Sequence, residues 1–236
     1  MLIHPWDAAT DPEWRDWLAR QQVGTLIAPG RGRDVPVVVP THFSYAPEAG
    51  VDLILLHLAR PNPVWPALAE QPRALLSVSG DWAYIPAAWK AIDDEDPTLG
   101  IPTSYYAAVV LDCYAQVLTG EELLPVLRRQ LADFEPGSSV ADPSAHQRLL
   151  AGIRGLRLTV TDVQAKIKVG GNADDAHRDR VLAGLRERGL PPDAAAAEHL
   201  LRRTPPPQAA PTAAPTADPT ADPTADPAAD PAAATA

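Results

Sequence analysis

The sequence predicts a mainly β domain of the α+β class over residues 1–203, followed by a tail over 204–236 that joins no core. Three observations predict it. Short apolar runs of strand length recur between turns rich in glycine and proline, a pattern that fits a barrel. Only a few stretches carry the spacing of three to four residues that marks an amphipathic helix. At Thr204 the composition changes abruptly: nine of the 27 prolines lie between Pro205 and Pro231, and TADP repeats three times from Thr216 to Pro227. That segment has no aromatic and no basic residue. It cannot bury enough apolar surface to offset its ordering entropy, so disorder is expected.

Taken in order, Asp11-Pro12-Glu13 opens a helix, with Asp11 as N-cap and proline tolerated at the first helical position. Trp14, Trp17, Leu18 and Gln21 share its inner face, which packs on the barrel or on a second subunit. Residues 24–28 and 35–45 read as two strands joined by Pro29-Gly30-Arg31-Gly32, whose glycines allow the positive backbone angles of a hairpin. Pro40 removes a ladder donor and belongs at an edge or a bulge, which leaves Thr41 and His42 free to face a ligand or solvent.

After the turn at 47–50, a strand from Val51 runs into the stretch Leu55 to Trp65, LLHLARPNPVW, where Pro61 and Pro63 stop it. A short helix is predicted between Pro63 and Gln71. Arg73 to Val78 is nearly continuous in apolar residues, the mark of a strand buried on both faces. Trp82, Tyr84 and Trp89 form the densest aromatic cluster, which suits either a flat ligand wall or an interface. Asp93 to Pro97 reads as a charged surface loop, without the spacing and glycine of a calcium loop.

A long strand follows over 103–118, and then an amphipathic helix over 121–134 with Leu124, Leu127 and Leu131 on one side. Residues 155–169 alternate, with Leu156, Leu158 and Val160 opposed to Arg157, Thr159 and Thr161, as a half-buried strand does. That strand delivers Lys166 and Lys168 to one face, just before Gly170-Gly171-Asn172. Helices over 174–188 and 194–203 close the domain, and their arginine-rich faces read as solvated.

Charge narrows the function. The formal net charge is −10, and the four aspartates of the tail leave −6 on the rest. Duplex DNA binding leans on Lys and Arg neutralising phosphates, and only three lysines occur, at Lys90, Lys166 and Lys168. Cys113 is the single cysteine, which excludes an intrachain disulfide and a multi-cysteine metal site; its apolar surroundings make it a core thiol. The start lacks a basic leader with an apolar core, and no run approaches the roughly 18 apolar residues of a membrane span, so a cytoplasmic protein is expected. No HExxH, GxSxG, GxGxxG or phosphate loop with a trailing Lys-Ser/Thr is present.

What remains is the end of the strand at His57, Arg60 and Asn62. Donors concentrate there, and Arg60 with His57 would suit a phosphate or another anion. The plain alternative is a satisfied buried histidine and a surface ion pair. His57-Leu58-Ala59-Arg60-Pro61-Asn62-Pro63 resembles the HLARxNP signature of the FMN-binding negative transcriptional regulators, the PaiB-like proteins. Three further stretches resemble the same family in the same order: Gly80 to Pro86 with Trp89, Ile101-Pro102-Thr103 with Tyr106, and Lys166-Ile167-Lys168 with Asn172.

The resemblance implies a split β-barrel of the FMN-binding type, a homodimer, and an FMN site near the subunit interface. It implies Thr41, His42, His57, Arg60, Asn62, Tyr84, Lys166, Lys168 and Asn172 as cofactor-binding residues. Two departures stand out: His42-Phe43-Ser44 matches the family's THxP-like element only in part, and Gly170-Gly171 replaces the middle of a KxKLSQN-like ending. Some relatives of the fold bind haem through a histidine, which makes His57 the axial ligand of an alternative, piperazate-synthase-like enzyme acting on a small amine or hydroxylamine. A DNA-binding regulator without cofactor rests on the family name alone.

Because the tail offers no apolar face, truncation after Arg203 is expected to change unfolding free energy by no more than about 0.5 kcal/mol. Thermal or urea denaturation reads this, and a larger loss would show that the tail docks.

Overall fold

The computed structural model describes residues 1–91 and 96–203. The tail from Thr204 and most of the acidic loop at Asp93–Pro97 lie outside the described residues. Seven strands form one antiparallel sheet: β1 (Val23–Ala28), β2 (Val37–His42), β3 (Ser44–Tyr45), β4 (Leu53–Ala59), β5 (Arg73–Ile85), β6 (Thr103–Leu118) and β7 (Ile153–Lys168). Their order across the sheet is β2-β1-β5-β6-β7-β4-β3.

That order closes the barrel. β2 and β3 lie at opposite edges of the sheet yet are separated in the chain by one residue, Phe43. His42 pairs with Val23 of β1, while Ser44 pairs with Leu55 of β4. One continuous segment therefore serves both edges, and the sheet must roll up to let it do so. The closing side is short, with two residues in β3, which is what splits the barrel. Phe43 is fully buried, and its N–H donates to the Gln22 carbonyl at 3.0 Å.

Strand alternation fills the interior with Leu26, Ile54, Leu56, Leu76, Ile85, Leu111 and Leu156, all fully buried. Cys113 is buried in this core, as expected, and desolvation pushes its thiol up to about 12. The expected burial of Arg73–Val78 on both faces does not hold in the single chain. Ala74, Leu76 and Val78 point inward, but Leu75 is 37% exposed, because a sheet rolled on itself has one interior and leaves its outer face to other elements. β5 also runs beyond Val78, through a bulge between Gly80 and Ala83 where Asp81 takes a φ of 54°.

Among the described residues six α-helices pack around the barrel: α1 (Asp11–Leu18), α2 (Val64–Glu70), α3 (Leu123–Phe134), α4 (Gln147–Leu150), α5 (Asp175–Arg188) and α6 (Pro191–Arg202). The N-cap of α1 is Thr10 rather than Asp11. The Thr10 N–H donates to the Glu13 carboxylate at 2.7 Å, while Asp11 accepts from Trp14 Nε1 at 3.2 Å and Arg15 at 3.0 Å. Trp14, Trp17 and Leu18 are buried in the chain's own core, so of the two expected partners for this face it is the barrel that takes it.

The bulge is tied down by Asp81, which accepts from Trp17 Nε1 at 2.7 Å and contacts His199 Nε2 of α6 at 2.6 Å. These bonds, the one to His199 foremost, hold its carboxyl below the usual range. The arginines of α5 are not all solvated. Arg178 is buried and donates to the carbonyls of Leu200 and Arg203, and Arg188 pairs with Asp193 at 2.5 Å, so α5 and α6 are locked together by charge-assisted bonds.

Phe43→Ala would open a cavity where one segment must bridge two sheet edges. A loss of about 3–5 kcal/mol is expected, read as a lower urea midpoint. A change under about 1 kcal/mol would mean that the closure does not depend on this side chain.

Candidate functional site

Alternation along β4 turns Ile54, Leu56 and Leu58 into the barrel and Leu55 and His57 outward. Helix α3 covers that outer side with a buried stripe of Leu123, Val126, Leu127 and Gln130. The predicted stripe of Leu124, Leu127 and Leu131 is thus rotated, with Leu124 and Leu131 only half-buried. Between β4, α3 and the segment 140–150 lies a cavity of about 330 Å³. Its walls are apolar, from Leu127, Leu131, Phe134, Val140, Pro143 and Leu150; its polar groups are His42, His57, His146 and Gln130. No Lys, Arg, Asp or Glu lines it among the described residues.

His57 Nδ1 lies 2.6 Å from Gln130 Oε1. A carbonyl oxygen can only accept, so Nδ1 carries the hydrogen, and in the neutral ring the lone pair then lies on Nε2. Among the described residues nothing bonds that Nε2. The Gln130 amide nitrogen is buried and has no partner either. The His42 ring meets His57 edge-on at 5.1 Å between centroids and Phe134 at 5.5 Å. Partial desolvation, and then repulsion from His57, lower the pKa of His42, which keeps it neutral at pH 7.

The other candidates fall elsewhere. Thr41 points inward and donates to the His42 carbonyl, so it does not face the cavity. Arg60, on the turn after β4, is exposed and donates to the Ala151 carbonyl at 3.3 Å; it does not line the cavity and has no carboxylate partner among the described residues. His57 and Arg60 therefore do not form one anion site within a chain. Asn62 accepts from the Val64 N–H at 3.0 Å, in the turn that leads into α2.

Tyr84, Lys166, Lys168 and Asn172 gather at the far end of the barrel. Tyr84 and Trp82 stand exposed on β5. Lys166 and Lys168 lie 5.7 and 6.0 Å from the Tyr106 ring. Lys168 donates to Thr103 Oγ1 at 2.7 Å. Lys166 is buried under the N-terminal segment, donating to the Leu2 carbonyl at 3.0 Å and facing Asp7 at 3.6 Å. That segment runs along β7, with Ile167 N–H bonded to the Asp7 carbonyl at 2.8 Å and Ala9 N–H to the Ala165 carbonyl at 3.2 Å. It also crosses Gly171, where a Cβ would come within 2.4 Å of the Trp6 carbonyl oxygen. Asn172 follows, exposed.

The two groups are far apart. His57 pairs with Gly155 at the start of β7, and Lys168 ends the same strand. At about 3.3 Å per residue they are roughly 40 Å apart along it.

Sequence reasoning missed Gln130, because a polar residue was not sought on an apolar stripe. The signal was there: Gln130 stands seven residues after Leu123, on the same face as Val126 and Leu127.

A family model described as "Putative FMN-binding domain" matches residues 1–162. A curated relative, the protease synthase and sporulation protein PAI 2 of Bacillus subtilis, is 24% identical over 189 residues, 78% of this chain and 87% of its own length. Among solved structures, the FAD and haem binding protein from Mycobacterium smegmatis superposes with a TM-score of 0.53 at 20% identity, over 75% of this chain and 80% of that one. The flavocytochrome Anf3 from Azotobacter vinelandii gives 0.50 at 18% identity, over 73% and 78%. Both share the fold. No described helix is long and apolar enough to cross a membrane.

His42 is expected to titrate below about 6.5, the ordinary histidine value, and His57→Gln should move it back upward by removing one cause of the shift. A group that resists protonation in the fold binds fewer protons than the unfolded chain, so it costs stability as pH falls through about 6.5. NMR titration checks both, and a His42 pKa at or above 6.5 would contradict the cavity's character.

Proposed function

We propose that this chain, which belongs to the FMN-binding domain family, binds flavin mononucleotide in a site built from two copies of itself. The observation that carries the reading is Arg60, a guanidinium left without a carboxylate partner among the described residues, at a strand end. Its fork suits a phosphate bidentately. Tyr84, Tyr106 and Lys168 supply the flat walls and the cation that an isoalloxazine needs, but at the other end of β7. A single flavin cannot reach both ends, so Arg60 of one copy would serve with Lys168 of the other.

The outer sheet face supports the pairing of two copies. Leu75, Trp82 and Tyr84 are exposed there, and a second chain laid across them would cover an apolar patch. Lys168 would then stabilise negative charge at the pyrimidine end, whereas the charge of Lys166 is already offset by Asp7. Bound FMN supplies one- and two-electron redox chemistry; the protein supplies orientation and electrostatics. The acidic net charge speaks for a redox or sensing role over direct contact with DNA.

A second reading, haem, has its own observation. His57 donates Nδ1–H to Gln130 and leaves Nε2 open toward an apolar cavity, as metal-ligating histidines do. His57 would hold the iron, and haem would supply one-electron and oxygen chemistry. The haem and flavin named for the M. smegmatis protein make this reading worth testing on the same fold.

The absorption spectrum of the purified protein, followed by titration with FMN and with haemin, separates the two. For FMN, Arg60→Ala should weaken retention by roughly 10- to 150-fold, from charge-assisted bonds of about 1.5–3 kcal/mol at 1.4 kcal/mol per decade, and His57→Ala by less. For haem the order reverses. Sedimentation should give a dimer; a monomer at micromolar concentration would defeat the shared site, and a colourless protein that takes up neither cofactor would end both readings.

A further inference from the structure

Helix α3 carries a glutamine where its own packing asks for an apolar side chain. Leu123, Val126 and Leu127 form the buried stripe, and the next position on it is Gln130, 3% exposed. Only one end of its amide is paired: Oε1 takes the hydrogen of His57 Nδ1 at 2.6 Å, and Nε2 is buried with no partner. A leucine there would continue the stripe and leave no orphan donor. A half-satisfied amide in an apolar cavity destabilises the fold, so packing does not explain it.

What the side chain does accomplish is specific. In a free neutral histidine the hydrogen prefers Nε2; an acceptor fixed against Nδ1 reverses that preference. His42 stands edge-on beside the ring, and no Lys, Arg, Asp or Glu lines the cavity among the described residues, so the contact that sets the ring's tautomer is the Gln130 acceptor at Nδ1. An amide acceptor differs in kind from a carboxylate. It orients the ring without setting a negative charge beside it.

We propose that Gln130 is a positioning residue that holds His57 in the Nδ1–H tautomer and so presents Nε2 to a metal centre. The proposal rests on the haem reading above, and its primary test is made without haem. Gln130→Leu continues the apolar stripe and should fold; Gln130→Glu restores an acceptor.

In the ligand-free protein, nitrogen NMR of labelled histidine at neutral pH should show His57 protonated at Nδ1 and bare at Nε2. Gln130→Leu should abolish that preference and Gln130→Glu should recover it. A hydrogen on Nε2 in the wild type, or a tautomer unchanged in Gln130→Leu, overturns the assignment. Haemin titration is the second arm: Gln130→Leu should bind about 10- to 100-fold more weakly. Gln130→Glu should bind within a few-fold of wild type but at a lower reduction potential, because a carboxylate makes the imidazole a stronger donor to ferric iron. Equal haemin affinity in wild type and Gln130→Leu overturns the proposal. If haemin binds neither, the haem reading falls, and the tautomer comparison alone upholds or overturns the role of Gln130.

Discussion

One segment, Val37–Tyr45, must satisfy both edges of the sheet at once, and the rest of the molecule depends on that constraint. Antiparallel pairing on either side of Phe43 fixes where the sheet closes. Closure decides which face of every strand is inside. It turns His57 and Lys168 to the outside of the barrel, on the surfaces that helices, the N-terminal segment or another chain can cover. It also sets His42, the last residue before the crossing, beside His57 rather than across the barrel from it.

Much of the fold was legible in the sequence because period and punctuation are local. Proline and glycine marked the ends of β4 and the hairpin after β1, and alternation gave the inner face of β7 correctly from Leu156 to Val160; beyond it an irregularity at Thr161 shifts the phase and turns Val163, Ala165 and Ile167 inward. Two misreadings share a cause, which is that burial depends on neighbours the sequence does not display. Leu75 reads as core because its flanks are apolar, yet the outer face at that point is open. Arg178 reads as solvated because it is charged, yet it ties α5 to the carbonyls of α6. The register of α3 was off because only leucines were counted, and the residue that completes its stripe is an amide.

The candidate site was legible as a set of residue types and not as a place. His57 and Arg60 are three residues apart, yet the strand end between them sends one into a cavity and the other to the surface. His57 and Lys168 match one family's motifs, yet they stand at opposite ends of a strand. Linear proximity says little once a strand terminates, because side chains alternate in direction up to that point and the backbone turns after it. The contact that gives the cavity its chemistry joins residues 73 positions apart, and no local pattern could announce it.

The glycine pair at the end of β7 has a consequence for kinship. Gly171 makes room for the Trp6 carbonyl, and the segment passing there carries the Asp7 and Leu2 groups that enclose Lys166. Roof and gap are thus one device. A relative with a side chain at the position of Gly171 would have to route its N-terminal segment elsewhere, and its first lysine would then stand open. Two proteins could share the lysines letter for letter and still present different chemistry at this end of the barrel, so an aligned motif there transmits identity without transmitting exposure.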